Sequence, residues 1–136
     1  MLNHNIARGV YNVYTKKTNT TDTDAAFNTG TLNYLVSTPS IILMIINASS
    51  EMLDQLLPAD YITVGKKIEL THEQPTLVGE TITVTVEVEE VIQNVVYLDF
   101  EVKDSKGVVC SGKYQRVIVE KSKLMEIAYK RLPELI

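Results

Sequence analysis

Ser37-Thr38-Pro39-Ser40-Ile41-Ile42-Leu43-Met44-Ile45-Ile46-Asn47-Ala48 opens like a capped helix and continues as a run that is apolar on every side. A hydroxyl residue accepts from an orphan first-turn N–H, and Pro needs no donor at the start of a helix. The apolar stretch is about ten residues, against the roughly twenty needed to cross a bilayer. It therefore predicts a helix buried on all sides by protein. The helix should run from near Thr38 to about Leu56, turning amphipathic at Glu51, Asp54 and Gln55, and Pro58 should end it.

Strand signals surround the helix. Residues 8–17 contain Val10-Tyr11-Asn12-Val13-Tyr14-Thr15, rich in strand formers. Tyr61–Thr71 is β-branched around Gly65, and Val95–Lys103 and Val108–Glu120 read as further strands. In Thr81–Val91, Ile82, Val84, Val86 and Val88 alternate with polar residues, the period of a half-buried strand. Gln93-Asn94 and Asp104-Ser105-Lys106-Gly107 supply turns, so the last three strands form an antiparallel meander. Residues 18–31 read as a loop, with Asp22, Asp24 and Asn28-Thr29-Gly30, and Thr31–Val36 as a short helical turn or connector. A last helix at about 121–132 places Leu124, Ile127, Ala128 and Leu132 at helical spacing and stops at Pro133. One domain over residues 1–136 is expected, of α+β class: a long antiparallel sheet around one buried helix, the hotdog arrangement, with a free sheet edge suited to dimer formation.

Composition narrows the function. The chain has 136 residues and a net charge of −4, without the basic stripe that nucleic-acid binding wants. Lys121, Lys123, Lys130 and Arg131 cluster near the C-terminus and read as a solvated helix face. A lone Cys110 excludes an internal disulfide and reads as a small strand residue. The N-terminal segment lacks a signal-like apolar run, so a cytoplasmic protein with no membrane segment is expected.

Few residues can carry chemistry. His4 is expected in a frayed terminus. His72 ends a strand beside a Pro/Gly turn, where it either points into a cleft and titrates near neutrality or satisfies an ordinary hydrogen bond. Thr38 is a cap or a site residue, or both, because a helix N-terminus presents N–H groups and a positive dipole end to an oxyanion. Backbone groups near Ser40 and Ile41 are the expected donors. Asn47, the polar residue in the apolar run, needs a hydrogen-bond partner, a dimer seam or a ligand if buried. Ile42, Met44 and Ile45 either line a pocket or face the sheet. Glu51 lies about 19 Å along the axis from the helix start, too far to serve a site there. Glu73 should point away from His72 across its strand. Two His far apart and one Cys make no metal site.

Three segments together resemble the fluoroacetyl-CoA thioesterase-like hotdog proteins: Val36–Met44 as the helix start, Thr71–Val84 as the histidine strand with its turn and next strand, and Ser111–Val117 as the last strand. The likeness spans about residues 8–130. It implies a homodimer binding acyl-CoA thioesters at the subunit interface, coenzyme A being part of the substrate and no separate cofactor being needed. It also implies a catalytic set of helix-start Thr, a Glu two turns on, and the strand His. Thr38 and His72 match. Ile46 stands where that family has Glu, with Asn47 adjacent, and Tyr114 stands where the last strand usually has His. The resemblance thus leaves two expectations. One is a thioesterase in which Thr38 orients the thioester, His72 activates water, and Ser40, Ile41, Ile46 and Asn47 contact substrate. The other is a non-catalytic thioester binder.

Overall fold

The computed structural model describes residues 2–23 and 32–133. In chain order these form β1 (Tyr11–Lys17), a 3-10 turn (Thr20–Asp22), α1 (Thr38–Asp54), β2 (Tyr61–His72), β3 (Thr81–Ile92), β4 (Val95–Asp104), β5 (Gly107–Glu120) and α2 (Lys121–Lys130). The strands make one antiparallel sheet in the order β1-β3-β4-β5-β2, with the predicted meander at its centre. Gly107 adopts φ +128 in the β4–β5 turn, a conformation that L side chains rarely reach.

The period-two pattern of β3 buries Ile82, Val84, Val86 and Val88, and β4 adds Val96, Leu98, Phe100 and Val102. Against this face lies α1 with Ile41, Met44, Ile45, Ala48, Met52 and Leu53, all buried. Met44 and Ile45 are therefore core residues. A sheet curled over one central helix is the hotdog fold.

The local readings need four corrections. First, α1 is not enclosed. The sheet covers one side, so Pro39, Asn47 and Glu51 are exposed and Leu43 is 49% exposed. Second, α1 ends at Asp54 rather than Leu56, because the Asp54 carboxylate accepts from Thr63 N–H (2.9 Å) and Oγ1 (2.7 Å) and fixes the helix end to β2. Third, Leu35 and Val36 are not helical; they bridge to Leu77 and Thr23. Fourth, the open sheet has two edges, β1 and β2, rather than one. Asp24 and Asn28-Thr29-Gly30 lie outside the described residues.

Behind Asp54 sits a buried cation. The Arg116 guanidinium donates from Nε to Thr63 Oγ1 (2.8 Å), from Nη2 to Thr63 O (2.6 Å) and from Nη1 to the Tyr114 hydroxyl (2.7 Å). Thr63 thus connects Arg116 to Asp54, and each guanidinium nitrogen of this residue, 4% exposed, has a hydrogen-bond partner. The Tyr114 hydroxyl occupies the space that a side chain at Gly65 would need; a Cβ there would come within 2.9 Å of it.

Candidate active site

The N-terminus of α1 is built by a short-range cap and a long-range latch. Ser37 is the cap, its Oγ accepting from Ser40 N–H at 3.2 Å. The latch is Asp22, 3% exposed. Its carboxylate accepts from Ser40 Oγ (2.6 Å), Lys16 Nζ (2.7 Å) and Asn19 N–H (2.9 Å), and its carbonyl accepts from Ser37 N–H (2.8 Å). Burial pushes the Asp22 carboxyl pKa upward, but the hydrogen bonds from Lys16, Ser40 and Asn19 and the Lys16 charge together outweigh it, and the net shift is downward.

A carboxyl with a folded-state pKa below its ordinary 3.8 contributes stability above that value, and the contribution is lost as pH falls through the lowered value. Asp22→Asn should therefore cost roughly 1–3 kcal/mol at neutral pH by leaving buried groups unpaired. The gap from the parent should narrow as pH falls below 3.8 and through the lowered folded-state value. Denaturant unfolding of both proteins from pH 7 to pH 2.5 checks this. A gap independent of pH would exclude the charge as its source.

Held in this way, Thr38 begins the helix and half-buried His72 ends β2. The two are brought together: Thr38 Oγ1 and His72 Nδ1 are 2.8 Å apart. The opposite ring nitrogen, Nε2, is buried and has no partner among the described residues. A buried polar atom without a partner is uncommon enough to need a cause. One ring nitrogen is thus held by Thr38, and the other has no partner among the described residues.

The remaining expected contacts divide. Ser40 and Ile41 are buried, and their N–H groups are already bonded, to Ser37 Oγ and Ser37 O (3.2 Å). They are not free donors, because the cap that starts the helix consumes them. Pro39 has no N–H, so Thr38 N–H is the first-turn group with no acceptor among the described residues. Ile46 is half-buried, two turns beyond Thr38 and about 80° around the helix. Ile42 lies between them on the same flank. Asn47 is exposed and about half a turn from Thr38, so its amide is solvated and needs no buried partner.

Other polar candidates are accounted for. Cys110 is the Cα partner of His72 across β2–β5, and burial, with a smaller contribution from Glu73, pushes its thiol up to about 11. It is a protonated, unreactive thiol near neutral pH. Glu51 and Glu73 are exposed. His4 accepts from Ile6 N–H at 3.1 Å and lines a separate cavity of about 270 Å³ with Leu2, Tyr61, Gln93, Asn94 and Ile118. No helix among the described residues is long and apolar enough to cross a membrane. Sequence reasoning missed Asp22 as a buried support; the signal was the Asn19-x-x-Asp22 spacing of a capping box.

Comparison with known proteins bears on the family and the fold. The sequence profile described as "FlK: Fluoroacetyl-CoA-specific thioesterase" matches residues 19–122. No curated protein matches the chain. A hot-dog-like protein from Thermanaerovibrio acidaminovorans superposes with a TM-score of 0.87 at 28% identity, over 94% of each chain. A structure of the fluoroacetyl-CoA thioesterase FlK gives 0.86 at 18% identity, over 95% of this chain and 99% of that one. TTHA0967 of Thermus thermophilus, a thioesterase superfamily member, gives 0.81 at 18% identity, over 93% of both. The profile match covers most of the sequence, and the chain belongs to the FlK family of hotdog-fold thioesterases.

Proposed function

We propose that the protein hydrolyses a small acyl-CoA thioester at the interface of a homodimer, with Thr38 and His72 as its catalytic residues. The observation that carries this reading is the 2.8 Å Thr38–His72 contact with Nε2 buried and unpartnered. In the productive tautomer Nδ1–H donates to Thr38 Oγ1, and the Thr38 O–H turns to the thioester carbonyl. Nε2 then holds a lone pair and takes a proton from water. The hydroxide oxygen adds to the acyl carbon, and the oxyanion is held by Thr38 O–H, Thr38 N–H and the positive end of α1. As the tetrahedral intermediate collapses the C–S bond breaks, and the imidazolium returns its proton to the CoA thiolate. The products are a carboxylic acid and CoA–SH. Ile46 contributes an apolar wall in place of a carboxylate, so all the base chemistry falls on His72.

The partner copy is proposed to pair along the free β2 edge. Lys67 and Glu69 flank Ile68 and are ion-paired within one chain at 2.8 Å. A two-fold axis at Ile68 would place each Lys67 opposite the partner's Glu69, and half-buried Ile68 and Leu70 would gain cover.

The alternative is a thioester-binding protein without turnover. It is favoured by one observation, the apolar Ile46 two turns beyond Thr38. Equilibrium binding of acetyl-, butyryl- and hexanoyl-CoA, with light scattering to count subunits, tests what both readings share. Saturable binding to a dimer is expected. No binding of any of these, or a monomer that binds fully, would overturn the interface site.

A further inference from the structure

The helix α2 has no buried residue, although its sequence is amphipathic. Leu124, Met125, Ala128 and Tyr129 fall on one side of it. Met125 is 49% exposed and Tyr129 is 64% exposed. Lys123 and Lys130 lie on the other side, with Arg131 just beyond, in a chain whose net charge is −4. Within its own chain the apolar side is covered only in part, at half-buried Leu124, and the two lysines are held only by short-range ion pairs.

The position of α2 indicates what does. It springs from the end of β5, with Lys121 N–H bonded to Asp60 O at 3.0 Å, and so stands at the start of edge strand β2. His72 is at the other end of that strand. Antiparallel pairing of two β2 edges puts the start of each β2 beside the end of the other. The helix of one copy then reaches the Thr38–His72 end of its partner, where exposed Leu77, bridged to Leu35 just before α1, offers an apolar seat. The two ends have complementary unmet needs.

From this we infer that α2 docks its apolar side on a second copy of this chain and presents Lys123, Lys130 and Arg131 to the phosphates of the thioester bound at that copy's site. This rests on the proposed function and adds to it a phosphate subsite supplied in trans. A CoA ester carries a diphosphate and a 3′-phosphate at the end remote from the reacting carbon, and clustered exposed cations attract such a group in a salt-dependent way. The ion pairs Lys123–Glu120 (3.8 Å) and Lys130–Glu126 (3.3 Å) are exposed, so both cations can leave them at little cost.

The test is the variant Lys123→Gln/Lys130→Gln/Arg131→Gln in the full chain, with CoA and an acyl-N-acetylcysteamine, which lacks the phosphates, as probes. Expected is a loss of at least tenfold in affinity for CoA at low salt, a flatter salt dependence, and no change toward the phosphate-free thioester. Mixed dimers then decide the direction. When a His72→Ala chain is paired with a triple-Gln chain, the intact His72 receives the partner's unaltered helix and should hydrolyse acyl-CoA with the parental KM. A raised KM there would mean the helix serves its own site, and would overturn the inference. Equal losses on both probes, or none on either, would also overturn it. If the parent protein neither binds nor cleaves acyl-CoA, the functional reading itself fails, and it does so in a different measurement.

Discussion

Replacing His72 by Ala should reduce kcat/KM for acyl-CoA hydrolysis by roughly 10²–10⁴-fold, the usual contribution of a positioned general base. The fold should survive. His72 is half-buried, its side chain bonds to Thr38 Oγ1, and the β2–β5 ladder that ends at it is followed by a Glu73 N–H to Val109 O bond. Binding of acyl-CoA should change little, since the imidazole acts on water rather than on the carrier. A split of this kind, with kcat lost and affinity kept, separates a base from a residue that only shapes the pocket. Thr38→Ser should retain most of the activity, because the hydroxyl is what holds Nδ1. His72→Ala as active as the parent would remove the assignment.

The largest effect on stability is expected at Gly112. A Cβ there would overlap the Glu69 carbonyl oxygen of the neighbouring strand and stand 2.8 Å from Phe100 Cζ. One obstacle is backbone, and Phe100 is itself buried, so neither can withdraw cheaply. Gly112→Ala should cost about 3 kcal/mol or more, a steric cost at or above the usual range for overpacking. For a domain of this size that lowers Tm by roughly ten degrees. Thermal unfolding of the variant checks it; a Tm within two degrees of the parent would show that β2 and β5 separate more freely than their register implies. Gly65→Ala meets only the Tyr114 hydroxyl at the tip of a side chain, so it should cost less.

What the sequence carried most reliably was local and periodic. The Ser-Thr-Pro start of α1, the alternation in β3 and the turn signals around β4 each depend on a few adjacent residues, and each appears within a residue or two of its expected place. The approach of Thr38 to His72, 34 positions apart, was not readable from periodicity; only the resemblance to a known family put them in one site. The exposed side of α1 was misread because an apolar run looks the same whether its cover is its own sheet or another molecule. Leu43 and Asn47 sit in one continuous greasy stretch with Ile45, yet face opposite environments.

Asp22 and Arg116 escaped for a further reason. A charged residue in a polar loop or strand is ordinarily solvated, and burial shows only when distant partners are placed: Ser40 and Lys16 around Asp22, Thr63 and Tyr114 around Arg116. Both groups support the site from behind. Asp22 fixes the first turn of α1, and the Asp54–Thr63–Arg116 chain fixes its last turn to β2, so the helix that presents Thr38 is anchored at both ends.

In the proposed mechanism a Thr–His pair cleaves a thioester without a carboxylate, Ile46 standing two turns beyond Thr38. The number of CoA molecules released per subunit, followed over time in excess acyl-CoA at neutral pH, tests it most directly. Release well beyond one equivalent is expected in the parent, and release at the buffer rate in His72→Ala. Saturable binding with release no faster than in buffer would contradict it, and would leave a protein that holds the thioester without cleaving it.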